Sequence, residues 1–448
     1  MLPEPRRHPL GGPALARRTP GDTDLAIFTT ALPYVGQHRR SRSCLRPYAV
    51  GRRLNRRSAA RTAVLGVVAL LALSACASNR SAATGGQDAP RSAAAHDVRN
   101  LEGVCPDTIV IQSSWFSQVE HFAAYQLLGK GFSLDAAKKT VTGPLVSGGV
   151  DTGVKLQIRA GGPAIGFQQV SAQMYADRSI TLGMIPLDEA IQNSASQPVT
   201  GVMTPYDVDP LVLMWSPAKH PDWNVIADIG QTDKTVLFFQ GERTYMDYLL
   251  GSGLLRQAQV DGSYDGSPSR FVAARGDIAV QGFATSEPWR WQHEVTAWGK
   301  PLNYQLVSDT GYPNYRNLLA IRSGDKPKLA GCLKKLVPML QRATVDFMAK
   351  PEATIKLILG VIAGTKQGYE DSQQRSEHAV QVMRDDGLVT NGRNKTVGDF
   401  EDSRVQRLIA IDTPIFTGQR KTLKPGLTPE DIATNEFINP SIGLPNSK

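Results

Sequence analysis

The chain has 448 residues, 41% of them hydrophobic and 20% charged, with a formal net charge of +9. That excess is local: residues 1–75 hold 13 arginines, no lysine and 3 acids, which leaves 37 basic and 38 acidic residues beyond them. A near-neutral remainder without an arginine-rich stripe excludes reading the basic pI as a nucleic-acid footprint, and it is long enough for two domains with their own cores.

Residues 1–49 are rich in Arg, Pro and Gly without apolar periodicity, and read as disordered or as an over-extended start. No methionine follows Met1 before Met174, and a start at Val50 leaves a leader of ordinary length. Residues 63–75 then form 13 uncharged positions in a row, preceded by Arg52, Arg53, Arg56, Arg57 and Arg61. Such a run is short for a bilayer span of ~20 residues and fits a signal-peptide h-region. It closes on Leu73-Ser74-Ala75-Cys76, which resembles a bacterial lipoprotein lipobox. The resemblance implies a signal peptide over 50–75, cleavage before Cys76 and diacylation of its thiol; a secretory signal that happens to end near a cysteine is the alternative. Residues 76–104 are expected to be the lipid anchor and a flexible linker. With Cys76 lipidated, Cys105 and Cys332 remain as an even pair in an oxidising compartment, so a bridge between them is expected, two buried thiols being the alternative. No CxxC or Cys/His zinc spacing occurs, and no metal site is expected.

The folded part is expected to open with the strand "DTIVIQSSW", followed by an amphipathic helix "SQVEHFAAYQLLG". A loop or hairpin insert over 130–153 precedes the strand "GVKLQIRAGG" and a helix with Pro163 in its first turn. "SITLGMIP" and "VTGVMTP" read as strands around the short helix "DEAIQNSA". A second series begins at "PLVLMWSP" and runs through "KTVLFFQG", the helix "TYMDYLLGSGLL", the turn "VDGSYDGSPSRFVAA" and "IAVQGFATSEPW". Long helical patterns over 326–349, 351–363, 376–389 and 399–416 end the chain. Two alternating β/α blocks predict two α/β lobes with mixed or mostly parallel sheets flanked by helices: residues 105–209 and 311–448 in the first, 210–310 in the second. The chain then crosses between lobes twice, which makes a hinge and a cleft at the carboxyl ends of strands.

Trp115, Phe116, His121 and Tyr125 follow the first strand in the order found in type II periplasmic binding proteins, and the chain resembles the nitrate/sulfonate/taurine and thiamine-pyrimidine group that serves ABC importers. The Pro-Asn of the pyrimidine binders is here Ser117-Gln118, a departure from that pattern. Trp115 and Phe116 are expected to stack or wall a ligand, with a core aromatic pair as the alternative. Glu120 and His121 are neighbours ~100° apart on a helix and cannot both face the cleft; the resemblance favours His121. Gly161, Gly162 and Pro163 either offer N–H groups to an acceptor or form a plain turn. Ser267, in "SPS", and Glu287, before Pro288, are the second-lobe candidates, Glu287 accepting from a ligand amino group or pairing with Arg290 or Arg270. Tyr206 and Tyr312 stand on the two crossings as hinge candidates.

The resemblance implies a membrane-anchored monomer that captures a small solute (a thiamine-type pyrimidine, a sulfonate or a nitrate-like anion) outside the membrane and hands it to an ABC permease. No catalysis, cofactor or nucleic-acid partner is expected, since no Gly-x-Ser-x-Gly or His-Glu-x-x-His motif occurs, nor the clustered cysteines of pyrimidine synthases on this fold. An extracytoplasmic sensor or scaffold that kept the fold is the alternative.

Overall fold

The computed structural model describes residues 90–445. The expected leader, Cys76 and the start of the linker lie outside them. Residues 90–104, the described part of the expected linker, pack on the fold. Leu101 is fully buried, and β1 (Arg91–Ser92) runs beside the strand that starts at Val150.

Apolar residues with β-branched neighbours make the strands of the first sheet: β2 (Thr108–Gln112), β3 (Ser133–Asp135), β4 (Thr140–Ser147), β5 (Val150–Arg159), β6 (Leu182–Ile185) and β7 (Val199–Met203). The second sheet holds β8 (Leu211–Trp215), β9 (Val236–Leu237), β10 (Val260–Asp261), β11 (Ala279–Phe283) and β12 (Asn303–Leu306). The last strand, β13 (Leu318–Arg322), returns to the first sheet. The order is β3-β4-β5-β2-β6-β13-β7 in one sheet, with β1 on β5, and β10-β9-β11-β8-β12 in the other. The chain therefore crosses between sheets twice, over residues 204–210 and 307–317.

Both sheets are mixed rather than mostly parallel. β2 pairs parallel with β5 and β6, but β4 folds back on β5 as a hairpin and β13 lies antiparallel between β6 and β7. A return strand entering from the other lobe arrives at the opposite end of the sheet, so it cannot run parallel to its neighbours. The expected insert over 130–153 is the β3–β4 part of this meander together with the opening of β5.

The helix Lys326–Ala349 buries Leu329, Leu333, Leu336, Leu340, Ala343 and Phe347, an i, i+3/i+4 stripe against the first sheet. Cys332 on that helix is bonded to Cys105 across 227 residues of sequence, as cysteine parity led us to expect. The bridge fastens the entry of the fold to its longest helix. Two later helices also reach the second lobe. From Gln373–Asp385, Arg375 pairs with Glu294 at 3.0 Å, and Gln419, capping Asp402–Gly418, donates to Asp247 at 2.7 Å. No helix among the described residues is long and apolar enough to cross a membrane.

Candidate functional site

Between the lobes lies a cavity of about 410 Å³, walled by both lobes, both crossings and residues 368–369. The segments that follow β2, β9, β10 and β11 bring their side chains to it, so it sits at the carboxyl ends of parallel strands. A second chamber of about 280 Å³ adjoins it, and both are lined by Ser114, Trp115, Phe239, Glu242 and Arg316.

Three rings close the seam. Trp115 and Phe167 from the first lobe and Phe239 from the second stand 5.8–6.1 Å apart. Such pairs contribute ~0.5–1.5 kcal/mol each beyond the area they bury. Phe116 stacks on Tyr369 at 5.2 Å and forms another wall. The Gly-Gly-Pro turn explains how Trp115 is held. Gly162 has φ +54°, and a Cβ there would lie 2.6 Å from the indole. The Gly161 N–H donates to the Trp115 carbonyl at 2.8 Å. The turn seats the tryptophan with that N–H, while Pro163 lines the larger chamber.

Glu120 rather than His121 lines the cavity. The segment begins as a 3₁₀ turn (Val119–His121) before one α-helical turn (Phe122–Tyr125), so it is shorter than the amphipathic helix expected. The Glu120 carboxylate accepts from the Thr285 hydroxyl of the second lobe at 2.7 Å. Burial pushes its pKa up to about 7; the Thr285 bond opposes this and Asp371 and Glu287 add to it. His121 is 1% exposed, with its Nε2 3.4 Å from the Ser114 hydroxyl. Burial lowers its pKa to about 3, against the Phe116 carbonyl, so the imidazole is neutral.

Glu287 opens the helix Glu287–His293 and accepts the Phe283 N–H at 2.8 Å; burial raises its pKa, opposed by that bond and by Arg290. Ser267 also lines the cavity, its hydroxyl 2.7 Å from that of Ser269. The hinge tyrosines do not. Tyr206 is fully buried, edge-on to Phe122 at 5.8 Å, and its hydroxyl has no partner among the described residues. The Tyr312 hydroxyl lies between the carboxyls of Asp188 (3.2 Å) and Asp412 (3.1 Å), both raised in pKa by burial.

The sequence reading passed over Phe239, Glu242, Tyr264 and Arg316. Arg316, on the second crossing, bonds Asp209 on the first at 3.2 Å and Glu242 of the second lobe at 3.1 Å. Burial disfavours its charge, but Asp209 and Glu242 outweigh this and raise its pKa. Tyr264 is 7% exposed and lines the cavity, and its hydroxyl is buried without a partner among the described residues. No group of three or more metal-ligating side chains occurs among the described residues.

No family model and no curated protein matches the chain. Solved structures similar to it include the periplasmic aliphatic sulphonate binding protein SsuA from Escherichia coli, at 13% identity and a TM-score of 0.47, over 75% of this chain and 94% of that one. The alkanesulfonate-binding protein SsuA from Xanthomonas axonopodis pv. citri bound to MOPS aligns at 12% identity and a TM-score of 0.47, over 73% and 99%. The periplasmic nitrate-binding protein NrtA from Synechocystis PCC 6803 aligns at 11% identity and a TM-score of 0.46, over 74% and 87%. The two-lobed architecture rests on this chain's own strand order and its two crossings.

Proposed function

We propose that this chain is the extracytoplasmic, lipid-anchored binding component of an ABC importer, a monomer that captures a small solute between its lobes. The observation that carries the reading is the 410 Å³ cavity, to which both lobes and both crossings contribute side chains. A ligand bonded to both lobes stabilises the closed arrangement over the open one, and a permease then recognises that difference. The described side chains suit binding, with rings and hydrogen-bonding groups around a space of ligand size. The Cys105–Cys332 bridge supports an oxidising location, and the run ending at Cys76 supports the anchor.

A second reading is favoured by the contacts of Arg375 with Glu294 and of Gln419 with Asp247, which fasten C-terminal helices to the second lobe. Contacts of that kind resist hinge opening, and a ligand sensor or scaffold on the same fold needs less opening than a carrier. Tryptophan fluorescence and thermal unfolding of the purified chain, titrated with pyrimidines, sulfonates, nitrate and small amines, test solute binding. A ligand at ~100 times its Kd adds about 2.7 kcal/mol. A raised midpoint that Trp115→Ala abolishes supports capture in the cleft, and a midpoint unmoved by every compound removes it. A change in scattering radius on binding favours the carrier, and binding without one favours the sensor.

A further inference from the structure

The charges in the larger chamber are unequal. Glu120, Glu242, Asp265 and Glu287 line it, against the guanidiniums of Arg290 and Arg316. Arg316 is already taken, held by Asp209 and Glu242, with the Phe283 ring 5.4 Å from its carbon. Arg290 lies within one helical turn of Glu287, on the same short helix. An entering anion would therefore meet more carboxylate than free cation. The walls between these charges are flat rings, among them Trp115, Phe116 and Tyr369, with faces that favour positive charge. Independently of the carboxylates, the Tyr264 hydroxyl is buried at the cavity wall with no partner among the described residues. It offers one acceptor or donor to whatever enters.

We infer that the cleft takes a planar organic cation, an amidinium, ring-protonated heterocycle or aryl-ammonium, whose N–H groups bond Glu287 and Glu120 while its face lies on one of the two mutually perpendicular rings of Trp115 and Phe116. The inference rests on the solute-binding reading and narrows its substrate class away from sulfonate and nitrate. The buried Glu120 and the half-buried Glu287, both raised in pKa by desolvation, are the partners such a cation needs. A singly charged cation displaces one proton, pairs with the carboxylate so formed and leaves the other carboxyl as a neutral hydrogen-bond partner, so no ion is left uncompensated. Aromatic walls then add cation–π attraction that an anion does not receive.

The test is calorimetric titration of the full chain with benzamidine, 4-aminopyridine and phenylguanidine, beside the neutral isostere benzamide and the anions benzenesulfonate and nitrate. The expected result is binding of at least one of the three cations, with benzamidine or its relatives at least tenfold tighter than benzamide, and protons released at pH 6–7. Glu287→Gln is expected to weaken the cation at least tenfold and Tyr264→Phe severalfold. Arg393→Ala, outside this chamber's lining, is expected to change nothing. Binding of benzenesulfonate or nitrate without the cations would overturn the cation and leave solute capture standing. Equal affinity for benzamide and benzamidine, or a folded Glu287→Gln that binds the cation normally, would also overturn it. Silence from cations and anions alike would overturn both.

Discussion

Two hollows are lined by the same pair of crossings, and they differ in what their polar groups are doing. The larger, about 820 Å³, is lined by Asp207, Ser308, Tyr315, Arg393, Glu401 and Arg404 among others. Its charges are mostly spent. Arg404 donates to the carbonyls of Pro313, Asn314 and Asp207, Thr390 donates to Asp207 at 2.7 Å, and Arg393 pairs with Glu401 at 3.2 Å. Ser308 alone among the side chains there has a buried hydroxyl with no partner among the described residues. The interlobe cavity has half that volume, yet it keeps rings facing each other across the seam, carboxyls raised in pKa by burial and an idle tyrosine hydroxyl. Volume is a poor guide to a site; unspent polarity beside aromatic surface is a better one.

Breaking the hinge network should have the largest effect. Arg316→Ala leaves the buried Asp209 and the half-buried Glu242 without their cation, and the uncompensated Asp209 costs about 3–5 kcal/mol in urea unfolding. A loss under 1 kcal/mol would mean that the crossings are held by other contacts. Replacing Cys105 and Cys332 by serine together should remove about 2–5 kcal/mol, read as a lower midpoint with binding retained in the folded fraction. Gly162→Ala places a methyl on the Trp115 ring at a left-handed φ, so a loss of about 1–3 kcal/mol and weaker ligand binding are expected together. Stability lost without affinity would separate Trp115 from the site.

The pH dependence sharpens the comparison further. Glu120 has its folded pKa raised from 4.5 to about 7, so its contribution is fully present below the unfolded value and is lost as pH rises through about 7. The groups facing it are Thr285, Asp371 and Glu287. Glu120→Gln should flatten part of the decline in midpoint between pH 4.5 and 7, leaving the share of Glu189, raised by burial over the same window. The smallest effect belongs to the larger hollow. Arg393 is an exposed partner of Glu401, and its replacement by alanine should stay within ~0.5 kcal/mol.

The local parts of this picture were legible in the sequence. The 326–349 stripe repeats at helical spacing, and the parity of Cys105 and Cys332 pointed to their bridge. Trp115 and Phe116 stood out because two aromatics at the end of a strand face whatever lies beyond it. The choice between Glu120 and His121 was not legible. Neighbours on a helix differ by a fixed rotation, but a 3₁₀ start changes which of them faces the cleft. Phe239 and Arg316 were out of reach for another reason. Each acquires its role from a residue far along the chain, Trp115 and Asp209, and nothing in local pattern or propensity reports such a pairing. Of the two sheet forms expected, mixed or mostly parallel, the mixed one holds, and local pattern could not choose it because the direction of β13 is set by its return from the other lobe.

Hydrogen exchange of the full chain, with and without saturating benzamidine, tests the central claim most directly. Capture between the lobes predicts that residues 114–120 and 281–290, which face each other across the cavity, become protected together at the same ligand concentration, while 390–407 stay unchanged. Protection confined to 390–407, or to one lobe alone, would contradict it.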